Sequence, residues 1–214
     1  MRQSMIFTGL ESLRYNINRK QSNLKFFDFG NIYRKQEGEY RQYEQLAIFL
    51  TGEKSEESWN VDKKSIDFHD ISATVHKLLN KFSFSDFDSV PTSHEAFEYG
   101  LDLTKNGNKI VTFGKLNGKV LKATELSQEV YYAEFDWARM SKNYGQKILY
   151  KEVAKFPEVK RDLSLVIDKS VTFDQIKNLA KVEGRKLMKR INVFSVYEGE
   201  SIGEDKKSYA ISFI

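Results

Sequence analysis

Short runs of aromatic and β-branched residues, each bounded by polar or glycine-containing stretches, dominate the first part of this chain, and they restrict it to a sheet of short strands. Residues 24–33 (LKFFDFGNIY), 46–51 (LAIFLT) and 130–135 carry this signature, and the first two are expected to pair as antiparallel neighbours. Residues 99–104 and 109–114 flank Asn106-Gly107, a dipeptide that supplies the positive φ angles of a tight primed turn, so they read as a hairpin. Helical spacing occurs twice in this part. Leu10, Leu13 and Ile17 predict a helix over about 8–20. From Asp67 onward, Phe68, Ile71, Val75, Leu78, Leu79 and Phe82 predict a strongly amphipathic helix with Asp67 at its N-cap. The class is α+β.

A polar stretch at 141–145 precedes a second pattern, and the domain boundary is placed near Gln146. Residues 163–168 (LSLVID) read as a strand, and Thr172 with Gln175 forms a capping box ahead of Phe173, Ile176, Leu179 and Ala180. Gly184 suits the helix end. Residues 191–197 (INVFSVY) and 209–214 (YAISFI) are further strands. This β, α, β, β order is one helix and one strand short of the ferredoxin-like motif, so the second domain is expected to be truncated.

With 214 residues, 40% of them hydrophobic, the chain has material for a sizeable core. It has no cysteine, which excludes disulfides, thiolate metal sites and cysteine nucleophiles. No apolar run of about 18 residues is present, and the first residues lack a signal-peptide layout, so a soluble cytoplasmic protein is expected. Net charge is +4, and residues 151–214 hold thirteen Lys and Arg against ten Asp and Glu, which favours a polyanion partner there.

Catalytic constellations are thin. His69 and His76 stand seven positions apart on one helix, roughly 10 Å along its axis, too far to share a metal. His94 sits in a polar loop without a spaced partner. Asp67, Asp70, Asp86 and Asp88 fit caps and loop positions better than a paired-carboxylate site. Neither a P-loop nor a strand-linked G-x-G-x-x-G occurs, so phosphate cradling by a glycine-rich loop has no support. Arg185, Lys186, Lys189 and Arg190 surround Leu187 and Met188, a pattern suited to phosphate contacts and equally to a solvated face. Lys151, Lys155, Lys160 and Arg161 surround Phe156 and Pro157, mixing charge with a ring that either stacks on a base or wedges the domain junction. Arg161-Asp162 also reads as an internal ion pair at the start of a strand.

Residues 150–168 (YKEVAKFPEVKRDLSLVID) closely resemble the opening of the anticodon-binding domain that ends bacterial phenylalanyl-tRNA synthetase β subunits. The family pattern is met by Tyr150, Lys155, Phe156, Pro157, Arg161, Asp162 and Leu163, and further on by Phe194, Val196, Tyr197, Gly199, Lys206, Lys207 and Ser208, with Ser195 in place of the usual Asp. The amino-terminal part is similar to the same family's catalytic-like module through Met1-Arg2-x-Ser4, Gly9-Leu10, Asn16 and Phe27-Asp28-Phe29-Gly30.

This resemblance implies a class II synthetase-like antiparallel sheet with helices over 1–146, followed by an incomplete ferredoxin-like anticodon-binding domain over 147–214. It implies a segment without a catalytic site, which packs on an α subunit in an (αβ)₂ heterotetramer. ATP and Mg serve the whole enzyme and the α subunit binds the ATP, while the terminal domain approaches tRNA(Phe). A working class II site needs an arginine on a central strand and a second on a glycine-rich strand-helix segment, and neither is read here. The expected RNA contacts are Lys155, Lys160, Arg185, Lys186, Lys189 and Arg190. The alternatives are a stand-alone interaction scaffold without RNA, or an enzyme hidden in the first domain's cleft around His69, His94 and the aspartates.

Overall fold

A computed structural model of the chain describes residues 2–84, 86–142, 155 and 157–214. The chain divides into two compact units, 1–148 and 149–214. The Gln146 boundary, Tyr150, Lys151 and Phe156 lie outside the described residues.

In the first unit, helix α1 (Ile6–Ile17) leads into strands β1 (Leu24–Gln36) and β2 (Glu39–Thr51). Helix α2 (Phe68–Lys81) is followed by β3 (Asp88–Pro91), β4 (Phe97–Lys105), β5 (Asn108–Leu116), α3 (Gly118–Ala123), β6 (Val130–Asp136) and α4 (Trp137–Lys142). The six strands form one antiparallel sheet in the order β1-β2-β6-β5-β4-β3. Both faces are covered, which is why residues 46–51 are apolar without alternation. Leu46, Ile48 and Leu50 face a core with Ile71, Val75 and Leu79 of α2, while Ala47 and Phe49 face a core with Ile6, Leu10 and Leu13 of α1. Each fully buried aliphatic side chain of α2 contributes about 1.5–3 kcal/mol. Asp67 accepts hydrogen bonds from the His69 and Asp70 N–H groups at 2.7 and 3.3 Å, and Asp70 Oδ2 accepts from the Asp67 N–H at 2.8 Å, closing a capping box.

In the second unit, β7 (Arg161–Asp168), α5 (Phe173–Gly184), β8 (Ile191–Tyr197) and β9 (Lys206–Phe213) form a three-stranded sheet in the order β7-β9-β8. The outer strands run antiparallel to β9, so α5 crosses over β9 in a split βαβ arrangement. Phe173 packs edge-on to Tyr209 at 6.4 Å between ring centres, and Ile211 is fully buried.

Several expectations are corrected here. Strands β1 and β2 run on through polar residues to a turn at Glu37 and Gly38 (φ +51° and +88°), because a two-stranded ribbon needs only its backbone ladder. Elements β3, α3 and α4 have four to six residues, too few to show a period. At the end of α5 the positive φ belongs to Arg185 (+43°), not Gly184, where a Cβ would meet Met188 Cβ at 2.7 Å, so the glycine serves close approach. Asp162 does not pair with Arg161, since neighbours on a strand point to opposite faces. It accepts from Ser212 Oγ at 2.6 Å and pairs with Lys160 at 3.4 Å.

Candidate nucleic-acid interface

Strands β7 and β8 start at the same end of the second sheet, since Arg161 and Ile191 both stand opposite Phe213. Helix α5 descends to that end, so the path of the chain gathers Lys160, Arg161, Lys181, Arg185, Lys186, Lys189 and Arg190 there against Glu158, Asp162 and Glu183. Lys189 Nζ meets Glu158 at 3.3 Å and joins the approaches to the two strands. The N–H groups of Lys189 and Arg190 donate to the Ile214 carbonyl at 2.7 and 3.0 Å, which holds this backbone in register with the end of β9.

Of the candidate contacts, Lys160, Arg185, Lys186, Lys189 and Arg190 are exposed at this end, and Lys155 is exposed in the segment preceding it. Arg185 and Lys186 directly follow the last turn of α5, whose negative pole lowers the cost of crowding like charges there. The opposite end is acidic by contrast. Asp168, Asp174, Glu198, Glu204 and Asp205 outnumber Lys169, Lys206 and Lys207 there. The Ser212 hydroxyl, then the Lys160 ammonium, hold the Asp162 carboxyl below its ordinary range, so it stays charged.

Two aromatic platforms were not among the residues expected from sequence. Phe194 (56% exposed) occupies an irregularity in the β8 register and lies 5.5 Å beneath Lys160 Nζ. Tyr197 is half-exposed at the end of β8, with its hydroxyl 3.1 Å from Ser201 Oγ. The FSVYEG stretch was the available signal, but it reads equally as strand.

The first unit contains a cleft of about 350 Å³ whose lining includes Arg34, Tyr43, Glu134, Asp136 and Arg139. Folding thus brings two arginines together that lie a hundred positions apart in sequence. Arg34 lies over the Tyr43 ring at 5.9 Å, and Arg139 is bound to Asp136 at 2.7 Å. Tyr132 donates to Glu134, and burial, followed by that carboxylate, pushes the phenol up. Arg34, Lys109 and Arg139 stand against Glu134 and Asp136 in the lining of the cleft. His94 Nδ1 accepts from the Ala96 N–H at 3.1 Å, and His76 Nδ1 lies 2.8 Å from the Ser72 carbonyl, so each has a local structural partner. Among the described residues no group of three His, Cys, Asp or Glu is placed to hold a metal. No helix among them is long and apolar enough to cross a membrane.

A solved structure of pyrrolysyl-tRNA synthetase from Desulfitobacterium hafniense shares the fold at a TM-score of 0.50 and 11% identity, over 66% of this chain and 48% of that one. Residues 154–214 match the ferredoxin-fold anticodon binding domain, so the chain carries a domain of that class. Residues 1–137 match the phenylalanyl tRNA synthetase beta chain CLM domain, and the chain belongs to that family. Phenylalanine–tRNA ligase beta subunits of Bacteroides thetaiotaomicron and Bacteroides fragilis are 38% and 37% identical over all of this chain. That of Bacillus subtilis is 30% identical over 99% of it. The chain spans 28% of the length of the two Bacteroides relatives.

Proposed function

We propose that this chain is the tRNA-positioning and scaffolding portion of a phenylalanine–tRNA ligase β subunit and does no chemistry itself. The observation that carries the reading is the cationic end of the second unit, built from separate segments in a chain of this family. Lys155, Lys160, Arg185, Lys186, Lys189 and Arg190 contact phosphates of tRNA(Phe) and set register, while Phe194 offers a face on which a splayed anticodon base stacks. The first unit packs on the α subunit in an (αβ)₂ enzyme of the cytoplasm. ATP and Mg serve the α subunit of that enzyme and not this segment.

The test is fluorescence anisotropy of tRNA(Phe) transcript and a non-cognate tRNA titrated with this chain at two salt concentrations. Lys186→Ala with Arg190→Ala is expected to weaken binding of both RNAs and to reduce the slope of log K against log salt by roughly 1–2. Phe194→Ala is expected to weaken cognate binding by about 1–3 kcal/mol with the slope unchanged. Absence of binding to either RNA by the folded chain would leave scaffolding as its role.

A further inference from the structure

Helices α1 and α3 end side by side. Arg14 of α1 meets Glu125, just past the end of α3, at 2.7 Å, and Gln128 Nε2 donates to the Ser22 carbonyl at 3.0 Å. The two helices share one buried core through Leu10, Leu13 and Leu121. The side chains left outside that core are basic. Arg19, Lys20, Lys119 and Lys122 are exposed and Arg14 is half-buried, against Glu11 and Glu125, and residues 12–27 contain no carboxylate. Nearby Glu129 is taken up by Lys115 at 2.6 Å. The excess of positive charge at this end is therefore not cancelled by its own neighbours.

The sequence also places side chains here that packing does not require. The Arg19 guanidinium carbon lies 3.4 Å from the centre of the Tyr15 ring, and that tyrosine is 58% exposed, so the stack stands in solvent. Arg19 Nη1 donates to the Tyr15 carbonyl at 3.0 Å, which fixes the guanidinium over the ring. A flat cation held in this way is a face on which a base can stack. The chain then leaves α1 through a left-handed residue. The Lys20 N–H donates to the Ile17 carbonyl at 2.9 Å and the Gln21 N–H to the Asn16 carbonyl at 3.1 Å, and Lys20 takes φ +66°. Glycine is favoured at that position because a Cβ is strained there. A lysine kept where glycine would fit better points to a use for its charge.

We infer that this end of the first unit is a second RNA contact, where Arg19, Lys20 and Lys122 meet backbone phosphates and the Arg19–Tyr15 stack receives an unpaired base. An acidic protein segment would use the charges but not the flat stack. The cleft lined by Ser22, Glu53, Glu56 and Glu57 bounds the surface on one side, since it repels phosphates. The inference rests on the reading that the chain meets tRNA, and it uses none of the residues assigned to the second unit.

The test titrates tRNA(Phe) with Lys20→Gly and with Arg19→Ala plus Lys122→Ala by anisotropy at two salt concentrations, and reads the stability of each variant from its urea midpoint. Lys20→Gly is expected to raise the midpoint by relieving the left-handed strain and yet to weaken binding about three-fold or more, opposite signs that a merely structural lysine would not give. The Arg19 and Lys122 pair is expected to reduce the slope of log K against log salt by roughly 1–2. In the full-length protein in its own cell, p-benzoylphenylalanine at position 15 is expected to crosslink to tRNA. The inference is overturned by adducts on protein alone, whether on the same polypeptide or another. It is equally overturned if these variants leave the affinity and the slope unchanged while Lys186→Ala with Arg190→Ala still lowers them, a result that leaves the second unit's role standing. Failure of the folded chain to bind tRNA, together with no tRNA adduct in the cell, overturns both readings.

Discussion

Asp67 shows how much one side chain carries in this molecule. Its carboxylate caps α2 through two backbone N–H groups and also binds Lys54. Asp67→Ala is expected to lower the stability of the first unit by about 1 kcal/mol, read from the urea midpoint. The Lys54 hydrogen bond, more than any other cause, holds the Asp67 carboxyl below its ordinary value, and Asp67, then Asp70, raise the lysine. A carboxyl depressed in the folded state stabilises above its unfolded value of about 3.9, and that contribution is lost as pH falls through the lower folded value. A raised lysine stabilises below its ordinary value, and that contribution is lost as pH climbs through the raised one. Lys54→Met is therefore expected to flatten both the acid and the alkaline limbs of the stability–pH profile, measured by denaturant titration across pH. Gly9 is a different kind of constraint, because a Cβ there would collide with the Phe49 ring. Gly9→Ala is expected to cost about 1–3 kcal/mol by the same measurement. The cap at Asp67 was readable from its place before an apolar period, whereas the contact of Gly9 with Phe49 joins positions forty residues apart.

At the scale of elements, α2 and the β4–β5 hairpin were legible because each has a local physical cause. In α2 the cause is the apolar spacing, and in the hairpin it is Asn106 and Gly107, which take φ of +53° and +74°. Asn106→Val, which forces a β-branched residue into the left-handed region, is expected to lower stability by about 1–2 kcal/mol in a thermal melt. The β1–β2 ribbon was underestimated for the opposite reason. Residues 34–45 have no apolar alternation to report, and their ladder follows from the turn at Glu37-Gly38.

At the scale of the whole chain, the second unit is polar in charge from one end of its sheet to the other. Removing a cation from the acidic end, as in Lys206→Ala, is expected to change tRNA affinity less than two-fold, whereas the Lys186 and Arg190 pair acts through the salt slope. The contrast separates a directed interface from general attraction to a basic chain, and anisotropy reads both.

The sequence by itself determined the α+β class, the principal strands and helices and the family, since strand alternation, helical period, caps and turn dipeptides act over a few residues. It also named the six cations, but only one by one. Tertiary structure decided that five of them share an end, because β7 and β8 start together across from Phe213. It likewise brought Arg34 and Arg139 to one cleft with Glu134 and Asp136, and left Trp59 in solvent between β2 and α2. Those outcomes depend on strand order and on contacts between distant positions, which no local pattern encodes.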